Sequence, residues 1–193
     1  MLTRTYYGYS ENIPINFNFR FVNSNYTSVT ITSYGYIFFS QNSNEHIGNT
    51  ITALFFHGDT QSQGGIYYQN LYSQSDDFYS IQSIINRINS SFVPLNIFRI
   101  TYDNVSKLYE ENKKATFQII LATDSSKSYV VLKYTSGLSN DPLTVLPGIY
   151  FLGENGQQLS NLLTDPCLSS NINQNGTWVF DVTSVNSKYK ILI

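Results

Sequence analysis

The chain has 193 residues, 41% of them hydrophobic, with 11 basic and 13 acidic side chains giving a formal charge of -2. That length suits one domain, or two small ones, and buries enough surface to fold without a disulfide or metal staple. The densest basic cluster is only Lys113-Lys114, which excludes a nucleic-acid binder working through a basic patch, and no apolar run is long enough to span a membrane as a helix.

Two features of the composition stand out. Aromatics reach 16%, while charged residues make up 12% of the chain, against roughly 25% in ordinary globular proteins. Such a chain must solvate its surface with Asn, Ser, Thr, Gln and tyrosine hydroxyls. Secreted β-domains often have surfaces of this kind. An AT-rich codon bias would also raise Asn, Tyr and Ile, but it should raise lysine with them, and Lys and Arg together number 11. The balance favours a real surface property.

Cys167 is the single cysteine, so a disulfide framework within the chain is excluded. It fits either a buried small hydrophobe or half of a bridge to a neighbouring domain. Residues 1–7 lack the apolar core of a signal peptide, and Met1 is the only methionine. A fragment of a larger multidomain protein is expected.

In chain order, Phe17, Phe19 and Phe21 alternate with polar residues, which predicts a strand with three rings on one face. A β-branched run from Tyr26 to Ser33 and the segment Tyr36 to Phe39 flank Ser33-Tyr34-Gly35, a hairpin turn. Ile51 to Phe56 and Gly65 to Gln69 read as two further strands. Then the period changes. Phe78, Ile81, Ile85 and Ile88 share one helix face, with Ser75 as N-cap and Asp76 and Asp77 at the positive end of the helix dipole. One helix of about 76–90 packed on a sheet is predicted, and Ile85→Ala should then cost roughly 2–5 kcal/mol in a denaturant melt.

Strands resume with 95–101, 115–122 and 129–134, the last two joined by the turn Asp124-Ser125-Ser126-Lys127. Residues 137–142 and 153–166 read as loops, and 177–183 and 189–193 as closing strands. The expectation is a mainly β, β-sandwich-like domain of about ten short strands with one packed α-helix.

Chemistry-bearing residues are sparse. His57-Gly58-Asp59 is the only place where a base and a carboxylate lie close in sequence, and on a strand they would point the same way. No nucleophile elbow, His-Glu-x-x-His or Cys/His cluster completes an active site around them, so a turn with Asp59 accepting backbone N–H bonds is expected. A zinc pair of His46 and His57 would lack further ligands. Structural Ca²⁺ at Asp76-Asp77 with Asp59, Asp103 or Asp124 lacks an Asp-x-Asp-x-Asp-Gly loop. No cofactor is therefore expected. N-glycosylation sequons begin at Asn25, Asn89, Asn104 and Asn175, about the number that chance gives here. Asn175 adjoins a strand start, so it is expected to be the most enclosed. Exposed tyrosines such as Tyr6, Tyr7, Tyr9, Tyr72 or Tyr109 could form a contact patch.

Several blocks in this order resemble the nidogen-like (NIDO) domain. Phe17-Asn18-Phe19-Arg20-Phe21 is similar to its aromatic first strand, and Ser33-Tyr34-Gly35-Tyr36-Ile37 to its hairpin. Ile51-Thr52-Ala53-Leu54-Phe55-Phe56-His57-Gly58-Asp59-Thr60 is similar to "I-x-A-P-F-W-A-D-x-D-T", and Gly65-Ile66-Tyr67-Tyr68 to "G-x-V-Y-Y-R". Phe98 to Val105, Thr116 to Asp124 and Asn175 to Phe180 match three later blocks, the middle one most specifically. Together they cover about residues 15–183 of a single domain spanning 1–193.

This chain departs from the pattern at Tyr34, where Asn is usual, at Phe56 and Tyr102, which replace tryptophans, and at the acidic pair, of which only Asp59 remains. The resemblance implies a non-catalytic, extracellular or cell-surface interaction module, associated with cell–matrix adhesion and binding a protein or glycan. The alternative is a carbohydrate-binding β-sandwich, which needs an aromatic platform flanked by Asn and Asp. An enzyme has only His57 and Asp59 in its favour.

Overall fold

The computed structural model describes residues 8–39, 49–54, 56–61, 63–136, 148–150, 158–161 and 166–184. In chain order the elements are β1 (Ile13–Phe21), β2 (Ser24–Ile31), β3 (Tyr36–Phe39), β4 (Asn49–Thr52), β5 (Gly58–Asp59), β6 (Gly65–Leu71), α1 (Asp76–Asn86), β7 (Asn96–Lys107), β8 (Glu110–Thr123), β9 (Ser128–Ser136), β10 (Gly148–Tyr150), β11 (Gln158–Asn161) and β12 (Thr177–Asp181). The first sheet runs β1-β2-β3-β4-β10-β11. The second runs β12-β9-β8-β7, with β5 and β6 sharing the outer side of β7. Every pairing between these strands is antiparallel.

The packing follows from residue alternation. Phe98, Ile100 and Tyr102 of β7, Phe117 and Ile119 of β8, and Trp178 and Phe180 of β12 turn towards the first sheet. There they meet Phe19, Phe21, Val29, Ile37, Phe39 and Ile51. The intervening residues Ile97, Ile120, Val131 and Val179 point the other way, onto α1. The second sheet is therefore buried on both faces, which explains unbroken apolar runs such as Ile119-Ile120-Leu121-Ala122. Three layers result: sheet, sheet, helix. This is the mainly β sandwich with one packed helix that the sequence predicts.

α1 begins as expected. The Ser75 side chain accepts from the Phe78 N–H at 3.2 Å, and Asp77 pairs with Arg99 of β7 at 2.8 Å. The helix is shorter than 76–90. It stops at Asn86, Ile88 is 45% exposed, and the place expected for Ile88 is taken by Ile84 and Phe92. Tyr129 explains the early stop. Its ring holds Phe92 edge-on at 4.7 Å, and its hydroxyl accepts from the Asn89 side chain at 2.9 Å, so the chain leaves the helix to reach both. Ile85 is fully buried on the face of the helix that packs on the second sheet, as its predicted substitution cost requires.

The other differences are local. β4 ends at Thr52 rather than continuing to Phe56, because the Ala53 and Leu54 N–H groups turn to bond the Gly35 carbonyl at 3.1 and 3.3 Å. Within the expected loop 153–166, residues Gln158–Asn161 form β11 against β10. The expected loop at 137–142 and strand at 189–193 lie outside the described residues.

Candidate functional site

The hairpin between β2 and β3 positions the site. Thr32 and Tyr36 close it, with the Thr32 N–H donating to the Tyr36 carbonyl at 3.1 Å, and Ser33-Tyr34-Gly35 form the three-residue loop. The left-handed position falls on Gly35 (φ 85°), so Tyr34 keeps an ordinary backbone and its departure from the usual Asn costs nothing in the turn. Tyr36 and Phe38 alternate with the core residues Ile37 and Phe39, so their rings lie on the outer face of the first sheet.

Four rings meet there. Tyr34 stacks near Tyr36 at 6.1 Å and lies 5.9 Å from Tyr9, while His57 meets Tyr34 edge-on at 5.5 Å. Tyr9 also packs edge-on against Phe38 at 6.2 Å. Tyr9 is 51% exposed, His57 is exposed, and Tyr34 and Tyr36 are half-buried. Burial, followed by a hydrogen bond with Tyr9, pushes the Tyr36 phenol well above its ordinary value, so its hydroxyl stays protonated through the physiological range. It offers flat rings with hydroxyl edges, which is the chemistry favoured at protein interfaces.

Behind the patch the backbone is tightly engaged. The His57 carbonyl accepts from Leu108 at 2.6 Å, and Gly58 pairs with Lys107. Asp59 is buried, and its carboxylate accepts from the Gln61 N–H at 2.7 Å, the turn role read from the sequence. His57 is thus a member of an exposed aromatic cluster, while Asp59 is enclosed beneath it. Opposite Asp59 on β7 sits Ser106, fully buried, whose hydroxyl has no hydrogen-bond partner. Ser106→Ala is expected to raise stability by about 1 kcal/mol in chemical denaturation, because it removes a desolvated, unpaired hydroxyl.

The other candidates are placed as follows. His46, Tyr6 and Tyr7 lie outside the described residues. Tyr72 and Tyr109 are exposed, before α1 and in the β7–β8 turn respectively. Of the carboxylates weighed for Ca²⁺, Asp77 binds Arg99, Asp59 closes its turn, and Asp124 caps the β8–β9 turn through the Ser126 and Lys127 N–H groups. Among the described residues no three His, Cys, Asp or Glu side chains come together as a metal site. Partial burial raises the Asp124 pKa, but the bonds from Lys127 and Ser126 outweigh it and leave the pKa lowered.

Asn25, Asn104 and Asn175 are all exposed. Asn175 is not enclosed, because Gly176 rather than Asn175 makes the tight contact there, its missing Cβ lying over the Tyr134 carbonyl. Asn89 is the engaged one. Its amide donates to Tyr129 and its oxygen accepts from the Ser91 hydroxyl at 2.9 Å. Cys167 is half-buried and packs against the core between the sheets.

The hairpin, the turn at 56–60 and the β7–β8 pair all fall inside residues 11–144, which match the model of the nidogen-like domain family. The chain belongs to the nidogen-like domain family. No curated protein and no solved structure matches it. Nidogen-like domains occur in multidomain extracellular proteins. In this nidogen-like domain the match ends just past β9, so the resemblance seen at Asn175 to Phe180 lies beyond it. Among the described residues no helix is long and apolar enough to cross a membrane.

Sequence reading picked out Tyr9 and His57 for separate reasons and passed over Tyr34 and Tyr36 as turn and strand residues. Their joint exposure has no signal in the sequence, because it depends on how three chain segments meet.

Proposed function

We propose that this nidogen-like domain is a non-catalytic interaction module of an extracellular or cell-surface protein in cell–matrix adhesion, and that the Tyr9–Tyr34–Tyr36–His57 patch is its contact surface. The exposed cluster of four rings carries this reading. The domain reaches beyond the family match to at least residue 183. In support, β12 completes the second sheet against β9, and Trp178 and Phe180 enter the core. The absence of catalysis is supported by the commitment of the Asp59 carboxylate to a buried turn.

The test uses cells displaying the native full-length protein. Adhesion to matrix should fall at least tenfold for Tyr9→Ser with Tyr34→Ser, while His57→Ala leaves no hydrolytic activity to lose. Glycans should be found by mass spectrometry at one or more of Asn25, Asn104 and Asn175, with Asn89 unmodified. A cytosolic protein with all four asparagines bare would overturn the adhesion reading and leave the fold intact.

A further inference from the structure

β1 does not pair evenly with β2. Ile13 and Pro14 face Val29 and Ser28, and Phe19 to Phe21 face Tyr26 to Ser24. Between them the four residues Ile15 to Asn18 stand opposite Thr27 alone. Asn16 accommodates the bulge in the left-handed region (φ 62°), a conformation that Asn tolerates. This irregular stretch lines a shallow, open groove of about 450 Å³. Phe17 and Pro14 line it together with Asn12, Asn16, Asn18, Thr27 and Ser28.

The chemistry of this groove is selective. None of its lining residues carries a charge. Phe17 is half-buried and packs against the core on one side, so its ring is held in place while part of it stays open. Asn12, Asn16, Asn18 and Thr27 are all exposed, and each carboxamide both donates and accepts hydrogen bonds. A pyranose ring presents the complement, with an apolar C–H face for an aromatic ring and hydroxyls that donate and accept around its rim. An anionic ligand would find no cation here, and a purely apolar one would strand the three amides. The volume lies within the range of about 300–1,000 Å³ typical of small-ligand sites.

We infer that the groove at the β1 bulge binds a neutral saccharide, as the terminal units of a glycan carried by a partner molecule. This rests on the reading of the domain as an extracellular interaction module and names a ligand class for a second surface, separate from the tyrosine patch.

The experiment titrates the ¹⁵N-labelled 193-residue chain, made without glycans, with chitotriose, mannotriose and lactose, and with a heparin-derived tetrasaccharide as the anionic control. At least one neutral sugar should shift the amides of residues 12–18 and 27–28. Phe17→Ala should weaken that binding tenfold or more. Because Phe17 also touches the core, Asn18→Ala is the second variant. It should weaken binding three- to tenfold with the unfolding midpoint unchanged.

The inference is overturned if no neutral sugar moves these amides, if the shifts centre on Tyr9 and Tyr34, or if the heparin fragment binds the groove more tightly. Loss of sugar binding with adhesion through the tyrosine patch retained would remove this inference alone. A cytosolic native protein would instead remove the reading on which it rests.

Discussion

Tyr102→Ala is expected to lower stability by about 3–5 kcal/mol, the range for truncating a large buried aromatic. For a domain of this length that corresponds to a fall of roughly 6–20 °C in melting temperature. Tyr102 is fully buried on β7, and its ring stacks on Phe117 at 4.3 Å with the planes 15° apart. Its hydroxyl crosses to the other sheet and donates to the Thr32 carbonyl at 2.7 Å. One side chain therefore joins the inner faces of both sheets at the base of the hairpin. Burial pushes its phenol far above the ordinary value, so the hydroxyl remains a donor through the physiological range. Tyr102→Phe separates the two contributions, because it keeps the stacking and removes only the hydrogen bond. It should cost about 1–2 kcal/mol. Equal losses in the two variants would show that the ring packing contributes nothing.

Gly35→Ala is expected to cost about 3 kcal/mol or more, through left-handed strain compounded by a steric clash. An added Cβ would stand 1.8 Å from the Leu54 carbonyl oxygen, and the backbone sits at φ 85°. Relief would require the hairpin to lift from residues 53–54, breaking the bonds that Ala53 and Leu54 donate to the Gly35 carbonyl. The tyrosine patch stands on this hairpin, so the adhesion proposed for it should fall with stability. Thermal melts and adhesion measured on the same variant check the two together. A melting temperature within 2 °C of the parent would show that the turn is not held as described.

Much of the fold is legible in the sequence because burial enforces periodicity. The alternation at Phe19 and Phe21, the apolar run of β8 and the helical spacing of Phe78, Ile81 and Ile85 each record which faces are covered. The turn chemistry at Ser75, Gly35 and Asp124 is legible for the same local reason. What failed to show was set by partners distant in sequence. Ile88 continues the helical stripe, yet Tyr129, 41 residues away, draws the chain out of the helix first. Gln158–Asn161 has the composition of a loop and becomes a strand only because β10 lies beside it. Both surface sites have the same origin. The tyrosine patch gathers rings from three segments, and the groove exists because four residues of β1 oppose one of β2. No spacing rule within a single strand reports either.

The β1 bulge has a further consequence, for how copies of the domain behave beside one another. Among the described residues β1 is the outermost strand of its sheet, and an outermost strand that is straight invites a second chain to add to it. Past the bulge, β1 is stitched to the second sheet, with the Arg20 N–H donating to the Ser128 hydroxyl of β9 at 3.2 Å. Ahead of it, Pro14 lacks an N–H to offer, and Ile15 to Asn18 break the even register that an incoming strand must follow. Where copies of a domain are crowded together, an open straight strand promotes fibrous self-assembly. The irregularity that opens the groove also keeps this margin from polymerising.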